Sequence, residues 1–530
     1  MTDPVLIIGA GPTGLTAALE LSRLGIPVRL IDKREGPATT SRAIGIQPRT
    51  LELMAQRGLA EEMVRLGNKG FGGSVYGGGK RIFRLDFGHV ESRFNYILFL
   101  SQVETERVLR EAIAAHGILP EWSTELAGLA QDAHSHAPSP VTAVLAHADG
   151  RLERVSAPWV ISAEGAHSLV RSTLDLQFEG KTLPEQFVLG DLQADARLTD
   201  NDFHIFSSEH GFMGLFPMGG GRFRLIAGHP PGDPERGSPP TLEELQSIYD
   251  HRSPVPAAFH DLTWSSWFKI NSRMVSRLKV GRLLFGGDAA HIHSPAGAQG
   301  MNTGIQDMIN LAWKLAMVIK DEAPVALLDT YEGDRLPVMR NVLNQTEGLT
   351  HLIGTENPLA RSLFNHLAPW IVTTSVVQDN STARMAQVKL DYRGGPLVSN
   401  HFHSGALKAG DRVPDIAVRH WRDGVWVEVL LHSLLDPSRF VLLDIQGDGT
   451  EMFDPLIAAE VEPLSRQISL ATLAAPFAAD RPIFRHEFGA SSMYLVRPDG
   501  YVAVAAGRAG GRQAIGEFVR KWMTVAKEAG

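Results

Sequence analysis

Apolar and polar positions change their spacing several times along the chain, and each change marks a different kind of element. Val5-Leu6-Ile7-Ile8 is a short continuous apolar run followed by turn residues, the pattern of a strand covered on both faces in a parallel sheet. Leu15 to Leu24 then carries apolar residues at helical spacing and stops at Gly25, a residue that ends helices because it enters the left-handed region without strain. A second buried run, Val28-Arg29-Leu30-Ile31, ends at Asp32 and completes a βαβ unit. The opening is therefore α/β, with a doubly wound, Rossmann-type sheet. Pro48 to Gly58 and Gln102 to His116 read as amphipathic helices, the second ending before Gly117.

From about Phe178 to Ser276 the texture becomes alternating, with glycine and proline clusters such as Met218-Gly219-Gly220-Gly221 and His229-Pro230-Pro231-Gly232 between the runs. This predicts a mainly β domain inserted into the α/β domain. Leu283-Leu284-Phe285 resumes a buried strand, a helix is expected from about Asn302 to Ile319, and Tyr331 to Val388 is largely helical. Gly394-Gly395-Pro396 marks a boundary before a final α/β segment. The expected domains are 1–175 with 277–395, which form one unit with a helical extension; 176–276 with parts of 70–100, the β domain; and 398–530.

A chain of 530 residues is long enough for several such domains. Its formal net charge is -8 and it has no basic tract, which argues against nucleic acid as a partner and for a small molecule. The absence of cysteine excludes disulfides, thiolate metal sites and cysteine nucleophiles, so redox chemistry has to come from a bound cofactor. The N-terminus is not basic and no apolar stretch is long enough to span a bilayer, so a cytoplasmic protein without membrane association is expected.

Gly9-Ala10-Gly11-Pro12-Thr13-Gly14 fits G-x-G-x-x-G between strand and helix. The first glycine permits the tight turn, the second lets backbone approach a pyrophosphate, and the third lets the helix pack close. The free amides and the positive end of the helix dipole would hold the anion, and Asp32, with Lys33 beside it, is positioned for the adenosine half of a dinucleotide. A second element, Gly286-Gly287-Asp288-Ala289-Ala290-His291, ends a buried strand with an aspartate suited to a polyol such as ribityl. The loop that follows, with Pro295, Gly297 and Gly300, opens a helix at Met301 and Asn302, whose amides could stabilise negative charge on a reduced flavin. His291 and His293 lack a neighbouring carboxylate cluster, so no metal site is expected.

These motifs resemble those of the group A flavoprotein monooxygenases, the single-component aromatic hydroxylases of the para-hydroxybenzoate and phenol hydroxylase type. The resemblance runs over about residues 4 to 390 and continues through Gln306-Asp307-Met308-Ile309-Asn310-Leu311-Ala312-Trp313-Lys314-Leu315. It implies FAD as cofactor, NADPH or NADH as co-substrate, and the fold of a Rossmann-type FAD-binding domain with an inserted mainly β substrate domain. The family's Asp-Gly motif is matched by Glu164-Gly165, in which glutamate stands for the usual aspartate. Arg42 and Gln102 match further flavin contacts, while Pro295 and Gly297 would flank the flavin edge where oxygen reacts. Gly410-Asp411-Arg412-Val413-Pro414-Asp415 and Leu495-Val496-Arg497-Pro498-Asp499-Gly500-Tyr501-Val502 resemble the thioredoxin-like C-terminal domain of the phenol and polyketide hydroxylase branches. Without a C-x-x-C pair that domain is expected to be structural, supporting a homodimer.

The resemblance implies that NAD(P)H reduces FAD, dioxygen adds at flavin C4a, and the hydroperoxide hydroxylates a phenolic or polycyclic aromatic substrate. The protein's part is placement, electrostatics and water exclusion. The strand holding Met213, Leu215, Phe216 and Pro217 is the expected lining of the substrate cavity. Tyr96, His204 and Arg222 are polar residues in the same region, but no general base is assigned. An epoxidase or Baeyer–Villiger-type oxygenase of the same family, or a catalytically silent flavin-binding protein, is the alternative.

Overall fold

In the computed structural model, residues 3–40, 43–131, 139–229, 238–293, 299–353, 375–446, 464, 467–476, 481–489 and 491–523 are described. The first sheet has five strands in the order Lys279–Val280, Leu283–Phe285, Val160–Ser162, Val5–Ile8, Val28–Ile31. The last four run parallel. All of Val5–Ile8 and Leu283–Phe285 is buried, which is why both read as uninterrupted apolar runs. Val5–Ile8 has the next strand in sequence on one side and a strand from residues 160–162 on the other. The chain therefore changes direction of winding at this strand, and the crevice beyond its carboxyl end is the binding position in such sheets.

The Pro12–Arg23 helix follows immediately, with Pro12 in its first turn, where the missing amide hydrogen costs nothing. The Gly300–Ile319 helix begins two residues earlier than expected and is buried from Asn302 to Val318. The helices near Pro48 and Gln102 are Pro48–Ala55 and Gln102–Ala114, each shorter than its expected span at the C-terminal end. Gly58 and Gly117 have positive φ values of 73° and 76° and so belong to the turns beyond.

The inserted region forms an eight-stranded sheet in the order His291–Ile292, Ala257–Val275, Phe178–Ala196, Arg222–His229, Gly211–Gly219, Asp202–Ser208, Gly72–Gly77, Lys80–Asp86. Two of its strands are 19 residues long. One face packs on the Leu242–Arg252 helix, its Val188, Phe206, Met213, Leu215 and Leu225 clustering with Leu245 and Tyr249 of the helix. The other carries Phe187, Leu189, Ile226 and Ile270, with Phe212, Phe216 and Phe268 against them.

In the C-terminal region Phe440–Ile445 pairs parallel with Ile468–Ala474 and antiparallel with Ser492–Val496, which pairs antiparallel with Val502–Gly507. This is the strand order and direction of a thioredoxin-like fold, with helices Arg481–Phe488 and Arg508–Trp522. Its Phe440 meets Trp313 of the Gly300–Ile319 helix edge to face at 5.3 Å, so one apolar core runs from the first sheet into this domain. Among the described residues no helix is long and apolar enough to cross a membrane.

Candidate active site

A cleft of about 510 Å³ opens beyond the carboxyl ends of Val5–Ile8 and Val160–Ser162. Gly9, Gly11, Pro12, Thr13, Asp32, Lys33, Gln102, Gly165, Asp288, Gly300 and Met301 all line it, so elements far apart in sequence meet in one space. The glycines are required by close approach: a Cβ at Gly14 would overlap the Gly9 carbonyl, and one at Gly9 would overlap the Ala163 carbonyl. Around Gly11 the same atom would meet nothing within 4 Å, so backbone there faces open space. The helix start has no side-chain cap, and its first amides are left for a ligand.

Thr13 joins the two glycine elements. A Cβ at either Gly287 or Gly304 would overlap the Thr13 hydroxyl, so the second glycine turn and the Gly300–Ile319 helix pack directly on the first. This gives Gly287 and Gly304 a reason that the fingerprint alone does not contain.

Asp32 accepts from the Ala10 amide at 2.7 Å and from the Arg34 amide and side chain at 2.9 to 3.0 Å. Burial raises its pKa, but the hydrogen bonds from Arg34 and Ala10 outweigh burial and hold the carboxyl below the usual carboxylate range. Gln102 lines the cleft and donates to Glu106 at 2.8 Å, one helical turn on. Burial pushes the Glu106 carboxyl up in spite of Gln102 and Arg34. Arg34 and Glu106 both line this end of the cleft and were not singled out from sequence. The i, i+4 spacing of Gln102 and Glu106 was the available signal.

Glu164 does not project freely into the cleft. Its carboxylate accepts from the Ser162 and Ser168 hydroxyls at 2.8 and 2.6 Å and from the Leu169 and Val170 amides at 3.1 and 3.2 Å. It thus caps the short Leu169–Thr173 helix and fixes the turn at Gly165, whose φ is 82°. Arg171 of that helix donates to the Ala166 and Ala289 carbonyls, tying this turn to the Gly287–Ala289 turn.

Asn302 braces the cleft wall from behind, accepting from the Gln47 amide at 2.9 Å and donating to the Gly45 carbonyl at 2.8 Å. His291 is bonded to Asp307 at 2.8 Å, and among the described residues no group of three or more potential ligands gathers as a metal site. Arg42, Pro295 and Gly297 lie outside the described residues.

Of the four residues expected to line the substrate end, Phe216 does so. Met213 and Leu215 are fully buried on the opposite face of the sheet, against the Leu242–Arg252 helix. Strand alternation separates them: Phe212, Gly214 and Phe216 share one face, Met213, Leu215 and Pro217 the other. The apolar end of the cleft is instead made by Leu189, Phe216, Ile226, Phe268 and Ile270 from several strands, with Lys269 and Asn271 adjoining. Tyr96, His204 and Arg222 are not part of the lining. His204 is buried, bonds the Thr199 carbonyl at 3.1 Å, and has its pKa lowered chiefly by that burial.

The donor set fits FAD: an uncapped helix start at a glycine cradle, an ionised carboxylate at the second strand end, and Asp288 with a second uncapped helix start at Gly300 further along the same cleft. Residues 2–346 match the family described as FAD binding domain, and residues 407–526 match the aromatic-ring hydroxylase C-terminal family. The 6-methylpretetramide 4-monooxygenase of Streptomyces rimosus is 35% identical, over 96% of this chain and 91% of that protein. Pentachlorophenol 4-monooxygenase of Sphingobium chlorophenolicum is 30% identical, over 95% and 94% of the two chains. The structure of the OxyS anhydrotetracycline hydroxylase from Streptomyces rimosus superposes with a TM-score of 0.77 at 28% identity, covering 98% of this chain and 99% of that one. A glycine cradle, a cleft that continues onto an apolar sheet face, and likeness along nearly the whole length lead to one conclusion: the chain belongs to the FAD-dependent aromatic-ring monooxygenases, the group A flavin hydroxylases.

Proposed function

We propose that the chain hydroxylates a phenolic polycyclic aromatic compound, using NADPH or NADH as reductant. One observation carries the reading: the cleft that begins at the glycine cradle continues without a break to the apolar face formed by Leu189, Phe216, Ile226, Phe268 and Ile270. A broad aromatic and aliphatic wall suits several fused rings better than a single small phenol. The relatives named for 6-methylpretetramide and anhydrotetracycline act on compounds of that kind and support the choice.

In this reading the amides of Gly11 and Thr13 hold the pyrophosphate, Asp32 and Lys33 the adenosine half, and Asp288 the ribityl chain. The amides at Gly300 and Met301, with Asn302 behind them, stabilise negative charge at the ring. Gln102 and Gly165 form the flank of the flavin. Bound flavin, once reduced, supplies the activation of dioxygen; the chain's residues supply the rest. Phe216 and Phe268 stack the substrate and keep water from the reacting edge, which favours oxygen transfer over release of hydrogen peroxide. Residues 1–175 with 277–395 make the flavin-binding unit, 176–276 with parts of 70–100 the roof, and 398–530 a supporting domain.

A panel of one-ring phenols and three- and four-ring phenols, scored for substrate-stimulated NAD(P)H oxidation and for product heavier by one oxygen atom, tests this. Coupled turnover is expected with the fused-ring compounds. Coupled turnover with one-ring phenols alone would contradict it.

A further inference from the structure

The Arg497-Pro498-Asp499-Gly500-Tyr501 segment of the C-terminal domain takes no part in the cleft, yet its polar side chains are buried against the flavin-side helices. Arg497 donates to Asp499 and, at 2.8 Å, to Asp334 of the Thr330–Ile353 helix. Asn310 of the Gly300–Ile319 helix donates to Asp499 at 3.0 Å and to Asp334 at 3.1 Å, and Lys314 donates to Asp334 at 2.7 Å. Arg335, next to Asp334, donates to Asp307 at 2.8 Å, to the Thr303 carbonyl and to the Tyr392 hydroxyl. The Tyr392 ring lies 4.2 Å from that of Tyr501 and beneath Arg497. The path ends at the cofactor turn: Asp307 accepts from the Gly287 amide at 3.1 Å and is bonded to His291 at 2.8 Å.

The side chains of Asp307, Lys314, Asp334, Arg335 and Arg497 are all 0% exposed. Buried ion pairs are a poor source of stability, because apolar residues of similar volume do as well or better. What they provide is direction, since each carboxylate and guanidinium accepts only a narrow geometry. We propose that the C-terminal domain serves as a positioning device for the cofactor turn: Arg497, Asp499 and Tyr501 fix Asp334, Arg335 and Tyr392, and these hold Asp307 under the Gly287–Asp288 turn. In a chain without cysteines this gives the thioredoxin-like domain a role that is neither redox nor peripheral. The inference rests on the reading that this turn touches FAD.

Two substitutions test it in the full-length holoprotein. Asp499→Asn removes a charge from the far end of the path, and Tyr392→Phe removes a single hydroxyl and keeps the ring. Each is expected to weaken FAD binding about tenfold, as loss of a supporting hydrogen bond does, and to change the visible circular dichroism of the bound flavin. Phe484→Leu, in the separate apolar core of the C-terminal domain, is the control for destabilisation; it should lower the melting temperature and leave FAD affinity and flavin dichroism unchanged. Wild-type affinity and dichroism in Tyr392→Phe would overturn the inference even if Asp499→Asn failed to fold, as would an equal loss of affinity in Phe484→Leu. Asp288→Ala separates the two claims. If it too leaves FAD affinity intact, the reading of the turn is at fault; if it alone weakens binding, only the role of the C-terminal domain falls.

Discussion

At Gly14 the space left for a side chain is already taken by the Gly9 carbonyl, and at Gly9 by the Ala163 carbonyl. Gly14→Ala and Gly9→Ala should therefore purify as folded protein with little or no bound flavin, a result read from flavin absorbance per chain. Glu164 makes a different case. Its carboxylate accepts four hydrogen bonds that hold the Gly165 turn, and Glu164→Gln turns one acceptor into a donor facing donors. Loss of about 1–3 kcal/mol of stability is expected from such a mismatch, measurable by thermal or denaturant unfolding. The glycines and Asp32 were legible in the sequence because the fingerprint states a geometry. The work done by Glu164 was not, because a residue that departs from a motif does not announce its new partners, and two of these are backbone amides. Thr13 was legible as a motif position, but its packing on Gly287 and Gly304 depends on chain separated by almost the whole first domain.

The strands and helices of the first domain were read correctly in kind because burial on both faces leaves an unmixed apolar run, as in Val5–Ile8. Which face of the Gly211–Gly219 strand lines the cleft was not readable. Both faces are apolar, one buried on a helix and the other facing the cleft, so the alternation contains no polar mark to choose by. Phe216→Ala should raise KM or shift substrate preference in steady-state assays with small loss of stability. Leu215→Ala, one position away on the packed face, should cost about 2–5 kcal/mol on unfolding with KM unchanged. The polar positions of the Gly300–Ile319 helix were similarly opaque. Asp307, Asn310 and Lys314 share one helix face, and the partners at 334, 335 and 499 that bury it completely lie too far along the chain to be read from the helix itself.

Across the whole molecule buried charges link docking of the C-terminal domain to pH: Asp334 accepts from Arg497 at 2.8 Å, and Glu52 of the Pro48–Ala55 helix accepts from Arg412 at 3.1 Å. Burial raises the pKa values of Glu52 and Asp334, but Arg412, His432 and Arg49 around the first, and Arg497 and Lys314 around the second, outweigh it and hold both at about 2. Carboxyls depressed in the folded state contribute stability that is complete above their unfolded values and is lost as pH falls toward the folded ones. With unfolded values of 4.5 and 3.8, the contribution should fade between about pH 4.5 and 2. Trp313, packed on Phe440 across the junction, reports it: its fluorescence should change in that window and stay flat from pH 5 to 7. Lys314, pulled down to about 8 chiefly by burial, contributes unfavourably at neutral pH. Its unfolded form binds more protons between about pH 8 and 10.5, so its unfavourable contribution is relieved as pH rises through that range.

A flavin enzyme of this kind inserts one atom of dioxygen into an aromatic ring, and labelled dioxygen tests that directly. The flavin-loaded protein, supplied with NAD(P)H, a fused-ring phenol and isotopically labelled dioxygen in unlabelled water, should give a ring-hydroxylated product carrying one labelled oxygen atom. A product whose new oxygen comes from water, or the consumption of reductant with hydrogen peroxide as the sole oxygen product across the panel, would contradict it.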